Sequence, residues 1–132
     1  MAAGIPAMPE HRFLTFFGPI SLPSTNNLRS VLCGLVNEGA KQVTILFASG
    51  GGSTDDGIAL FTYLKALPVE LTMHAVGNVN SIALPVFLAA SKRFASKNAR
   101  FLFHNYLWTS TMPEQATPVE LPRLNGRRRA CG

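Results

Sequence analysis

The chain has 132 residues, enough for one domain with a core of its own and no need of disulfide or metal staples. Hydrophobic residues make up 47% and charged residues 14%, which excludes an intrinsically disordered chain and fits a compact protein that buries more surface by self-association. The formal charge is +5, but Arg123, Arg127, Arg128 and Arg129 crowd the C-terminal end, so the basic balance describes a tail rather than a folded face and argues against nucleic-acid binding.

Residues 1–11, with Pro6 and Pro9, read as an irregular arm, and Arg12 to Phe17 as a strand closed by Gly18-Pro19. Ser24-Thr25-Asn26-Asn27 offers N-caps for a helix over 26–38 with an apolar stripe of Leu28, Val31, Leu32, Leu35 and Val36, and Gly39 ends it. Cys33 lies in that apolar pattern and is expected in the core. Cys33 and Cys131 have no metal-type spacing, so neither a metal nor a disulfide framework is expected. No basic start with a long apolar run opens the chain, and no apolar window reaches membrane-spanning length. A cytoplasmic location with no membrane contact is the expectation.

Gln42 to Ala48 is β-branched and aromatic over too few residues for a helix, and reads as a buried strand. Ser49-Gly50-Gly51-Gly52-Ser53 is then a turn whose glycines free the backbone to aim N–H groups at an anion, and Ser53-Thr54-Asp55-Asp56 supplies cap and dipole chemistry for a helix from Thr54 to about Ala66. That helix is expected to present Ile58, Phe61, Leu64 and Leu67 on one side, with Pro68 stopping it. Val69 to Val76 alternates as a strand and stops at Gly77-Asn78-Val79-Asn80. Ser81 leads into Ile82 to Ala90, a buried helix ended by Lys92 and Arg93, and Ala99 to His104 is a last strand. Strands and helices alternate, which predicts an α/β fold of repeated strand-helix units on a parallel sheet with right-handed crossovers.

A serine at a strand-to-helix junction has its hydroxyl near free N–H groups at the helix start, a favourable position for a nucleophile. Glycine turn, junction serine and strand-end histidine are the parts that acyl transfer needs: oxyanion donors, nucleophile and general base. Each has a plainer reading. Ser81 could serve as a helix N-cap, and His104 as a strand-end histidine satisfied by a backbone carbonyl. The glycine run lacks the Gly-Lys-Ser/Thr ending of a phosphate loop, and His11 and His74 have no partner in the pattern.

The run from Phe47-Ala-Ser-Gly-Gly-Gly-Ser53 through Gly77-Asn-Val-Asn-Ser-Ile-Ala83 to Lys92-Arg-Phe94 and Asn98-Ala-Arg-Phe-Leu-Phe-His104 resembles the proteolytic subunit of Clp protease, within the Clp/crotonase superfamily. The resemblance covers about residues 12–106. It implies a Clp/crotonase-like spiral of strand-helix units, Ser81 as nucleophile, His104 as base, and the backbone N–H groups of Gly52 and Ile82 as the oxyanion hole. It also implies a peptide or unfolded protein as substrate, a homo-oligomer, an ATP-dependent unfoldase as partner, and no cofactor.

Beyond His104 the family pattern calls for a long helix and a strand carrying a triad aspartate. Here no aspartate follows Asp56, and the only carboxylates after His104 are Glu114 and Glu120. The chain therefore reads as shortened after the histidine, with an irregular Pro/Arg-rich tail over 107–132. The expected activity is peptide-bond hydrolysis through an acyl-enzyme at Ser81, weakened by the missing acid. Two alternatives are a non-catalytic structural or regulatory Clp-like subunit and a crotonase-type acyl-CoA enzyme. The Ser81 and His104 pair argues against the latter, because enolate chemistry calls for no serine nucleophile. Asn80 stands where the family has a small residue, and Pro85 is expected to remove one helix bond. A β-branched residue in place of Gly52 is expected to lower activity without unfolding the chain.

Overall fold

The computed structural model describes residues 10–103. Its elements run β1 (His11–Phe17), α1 (Leu22–Asn37), β2 (Gln42–Ser49), α2 (Thr54–Ala66), β3 (Glu70–Asn80), α3 (Ala83–Leu88), β4 (Lys92–Ala95) and β5 (Arg100–Leu102). All pairings are parallel. The sheet order is β1-β2-β3-β4, and β5 pairs with β3 beside β4. This is the α/β architecture with a parallel sheet that the alternation of the sequence calls for.

The register shows which face is core. Phe16, Phe47 and Ala75 lie in line across β1, β2 and β3, and Val43, Ile45, Leu71 and Met73 share their side of the sheet. All are buried, together with Leu28, Leu32 and Leu35 of α1, Leu60 and Leu64 of α2, and Val86 and Phe87 of α3. Rings of Phe16 and Phe47 lie 5.6 Å apart and those of Phe47 and Phe87 6.4 Å apart, so an aromatic row runs from β1 under α3. Burying each such side chain is worth about 1.5–3 kcal/mol. The opposite face carries Phe13 and Phe17 on β1 and Phe94 on β4, all well exposed.

Helix α1 begins four residues before the expected start. Ser21 is its N-cap, its Oγ accepting from the Ser24 amide while the Ser24 hydroxyl accepts from the Ser21 amide, and Pro23 is tolerated because first-turn N–H groups have no helical partner. Its inward face is Thr25, Leu28, Leu32 and Leu35. Cys33, next to Leu32 around the helix, is exposed and not in the core, with Asn37 beside its sulfur, and Val31 is exposed as well. Helix α2 keeps its expected span, with Ser53 as N-cap and Asp55 and Asp56 in the first turn. Leu64 is buried and Phe61 and Leu67 pack partly buried against the core as expected, but Ile58 is exposed, and Gly57 and Leu60 complete the buried face. The pattern missed this part of the face because its first member is a glycine.

The largest departure is in β3. The chain does not turn at Gly77 but continues as strand to Asn80. Phe47 faces Ala75 and Ser49 faces Val79, so two steps along β2 match four along β3, and the extra residues bend β3. Gly77 allows this, since a methyl there would lie 3.2 Å from Ala48 Cβ. The bend lets β3 serve two neighbours, with Thr72 to Ala75 pairing β4 and Asn78 to Asn80 pairing β5. Lys92 and Arg93, expected only to end a helix, thus open a strand. Helix α3 is shorter than expected at six residues. Pro85 sits in its first turn, where no intrahelical N–H is lost, so the expected missing bond does not arise.

Two glycines make opposite predictions. Gly34 is mid-helix in α1 with no atom within 4 Å of where a Cβ would be, so Gly34→Ala is expected to raise stability by about 0.5–1 kcal/mol. At Gly52 φ is +147° and a Cβ would collide with the Ile20 carbonyl oxygen, so Gly52→Val is expected to lower stability by roughly 2 kcal/mol or more. Thermal melts of the two variants check both signs.

Candidate active site

The site forms where three segments converge: the residues after β1, the glycine turn after β2, and the junction of β3 with α3. Ile20, only 1% exposed, forms an isolated parallel bridge with Gly52. Its amide donates to the Gly51 carbonyl at 2.8 Å, and its own carbonyl accepts from the Ser53 amide at 2.8 Å. The Gly51 amide donates to Ser49 Oγ at 3.2 Å, and Gly18 donates to the Ala48 carbonyl at 3.2 Å. The turn is therefore fixed on both sides by backbone. Gly51 and Gly52 both have positive φ, at 97° and 147°.

Gly52 cannot be a purely functional glycine, as the sequence reading had it. The position a Cβ would take there lies against the Ile20 backbone, so a side chain disturbs the fold as well as the site. From the sequence, Gly18-Pro19 only closes the first strand, and Ile20 after it has no assigned role. A buried isoleucine between two turns was the available signal for this role.

Ser81 follows the end of β3 and has φ of 58°, the single non-glycine residue with positive φ among those described. A left-handed serine costs about 1–3 kcal/mol and persists only where its surroundings impose it. Those surroundings are visible. The Ser81 amide donates to the Leu102 carbonyl at 3.2 Å, which ties the junction to β5, and its carbonyl accepts from Leu84 at 2.9 Å. Gly51 presses on it from the turn, since a methyl on Gly51 would sit 2.9 Å from Ser81 Cβ and 3.4 Å from Ser81 Oγ. The glycine turn and the serine are thus in direct apposition.

Ser81 does not cap α3. That position belongs to Ile82, and no side chain caps the helix. The hydroxyl is half-buried and bonded to no other described side chain or backbone group. Neither the Gly52 amide nor the Ile82 amide donates to another described residue. Ile82 itself is buried, its side chain held against Gly57 of α2.

His104 lies outside the described residues, as do Glu114, Glu120 and the 107–132 segment. Leu102, two positions before His104 in sequence, is the residue whose carbonyl receives the Ser81 amide. His11 and His74 are engaged elsewhere. His11 Nε2 is 2.8 Å from Thr44 Oγ1, and His74 Nε2 is 3.0 Å from Ser96 Oγ. Among the described residues no group of three His, Cys, Asp or Glu side chains could hold a metal ion, and no helix is long and apolar enough to cross a membrane.

The sequence profile of the Clp protease family matches residues 5–122. ATP-dependent Clp protease proteolytic subunit 1 of Protochlamydia amoebophila is 29% identical over 83 residues, covering 61% of this chain and 40% of the relative. Proteolytic subunit 2 of Treponema pallidum is 33% identical over 84 residues, covering 62% and 41%. The chain thus spans about two fifths of the length of these relatives. ClpP1 from Listeria monocytogenes superposes with a TM-score of 0.72 at 21% identity over 87% of this chain and 66% of the other, which shows a shared Clp/crotonase-like fold. With the family match running from before β1 to well past β5, the chain belongs to the Clp protease family.

Proposed function

We propose that this chain carries a Clp-type serine peptidase site with Ser81 as nucleophile, His104 as general base, and the Gly52 and Ile82 amides as oxyanion donors. The observation that carries the reading is the strained Ser81 at the β3–α3 junction with the glycine turn pressed against it. Strain of this kind at a strand-to-helix turn exposes a serine hydroxyl for attack.

In the reaction Ser81 Oγ attacks the peptide carbonyl carbon as His104 takes its proton. The carbonyl oxygen becomes an oxyanion held by the two amides, and collapse expels the amine, which receives the proton from His104. A water then repeats the sequence on the acyl-enzyme and releases Ser81. A histidine lacking an orienting carboxylate loses about four orders of magnitude in rate in a serine protease of unrelated fold, and no aspartate follows Asp56 here. Turnover by this chain alone is therefore slow. A second reading is a non-catalytic Clp-like subunit. A crotonase-type acyl-CoA site gains no support from a serine forced into this position.

The substrate in the first reading is a peptide or unfolded protein. The relatives are named as proteolytic subunits of an ATP-dependent protease, and the glycine run here lacks a nucleotide-loop ending, so ATP-driven unfolding falls to a separate partner. Self-association of identical chains is supported by the exposed aromatic face of Phe13, Phe17 and Phe94. A cytoplasmic location goes with that assignment.

A fluorophosphonate probe is expected to label Ser81 in the folded chain, and Ser81→Ala is expected to abolish both labelling and residual peptidase activity. Absence of labelling under folded conditions would favour the non-catalytic subunit. Robust turnover by the 132-residue chain would contradict the slow rate. Light scattering at micromolar concentration is expected to give a mass above that of one chain, and a clean monomer would count against self-association.

A further inference from the structure

Gly57 lies in the first turn and a half of α2, buried, and nothing about the turn it occupies calls for a glycine. Inside a helix glycine costs about 1 kcal/mol against alanine, so its presence points to a close approach. That approach is to Ile82. A methyl on Gly57 would overlap Ile82 Cγ1, with Cδ1 and Cγ2 each 3.4 Å away, and no other residue supplies the three nearest atoms. Ile82 is β-branched and 4% exposed, with little freedom to move aside.

The contact bears on the site because Ile82 follows Ser81 directly. Its side chain enters the slot on α2 while its amide belongs to the junction. The far end of α3 is fixed too, by Arg93 Nη1, which donates to the carbonyls of Ala90 at 2.8 Å and Leu88 at 3.2 Å. Gly51 fixes the other side of the junction by its contact with Ser81. The junction is thus held between two glycines on successive elements, one against Ser81 and one against Ile82.

We infer that Gly57 is a positioning residue: its missing side chain lets Ile82 seat against α2 and so sets the direction of the Ile82 amide relative to Ser81. The inference rests on the reading of Ser81 and Ile82 as parts of a peptidase site. An added methyl pushes Ile82 outward, and displacements of this size in a catalytic array cost rate more than binding.

The test uses the full chain and a fluorophosphonate probe, measuring the saturating acylation rate and the half-saturating concentration for the unchanged protein, Gly57→Ala and Gly34→Ala. Gly57→Ala is expected to slow saturated acylation on the order of tenfold to a hundredfold while the half-saturating concentration stays within roughly twofold. Gly34→Ala, a helix glycine with open space around it, is expected to change neither. A glycine needed only for folding would lower the fraction of protein labelled and not the rate constant of the folded fraction. An unchanged rate constant in folded Gly57→Ala overturns the inference. If that variant does not fold, Ile82→Val takes its place, removing only Cδ1 from the contact. A several-fold slower rate supports the inference and an unchanged rate overturns it. Failure of the unchanged chain to label Ser81 overturns the peptidase reading itself, and the inference with it.

Discussion

Two backbone hydrogen bonds to Ile20 are the constraint on which the site region depends. They extend the β1–β2 pairing past the end of both strands, so the glycine turn is held as if it were sheet. Once the turn is held there, Gly52 faces the Ile20 backbone and Gly51 faces the β3–α3 junction at Ser81, and a Cβ on either would collide with its neighbour. Net hydrogen-bond contributions are about 1 kcal/mol each, so these two alone do not stabilise the domain. Their effect is geometric, because they transmit the rigidity of the buried Phe16–Phe47 pair to a turn that would otherwise be free.

The junction itself is a balance of strain against anchoring. The left-handed Ser81 is opposed by its bond to Leu102, by the bond from Leu84, and by the seating of Ile82 against α2. Leu84 and Ile82 are close to Ser81 in sequence, but Leu102 and Gly57 are each more than twenty residues away. A change in α2 or β5 can therefore reach Ser81 without touching it, through backbone and packing alone.

The order of strands and helices was legible because parallel strands buried on a core face read as apolar runs, and Gln42 to Ser49 is such a run. The apposition of the glycine turn and Ser81 could be anticipated from motif order. Other features were not legible. Gly77-Asn78-Val79-Asn80 has turn composition, yet tertiary pairing with Ser49 and Phe101 keeps it extended. The α2 face was misread at Ile58 because hydrophobic periodicity gives no weight to Gly57, where the absence of a side chain makes the contact. Cys33 follows the same lesson in α1, since an apolar neighbour of a buried stripe need not belong to it.

The all-parallel sheet has a consequence for how the chain reaches this structure. With no hairpin among the described residues, every described strand waits for a partner between about twenty and thirty residues away, and each pairing must close a crossover before it gains any contact. Local helix formation can precede this, but the sheet cannot grow residue by residue from a turn. Folding of such a topology is slow for its size, and the natural nucleus is β2 with β3, whose facing residues are the most completely buried. The bend in β3 lies within its pairing to β2, between Phe47 and Ser49, so the Ser81 junction that follows the bend takes its place only once those two strands are paired.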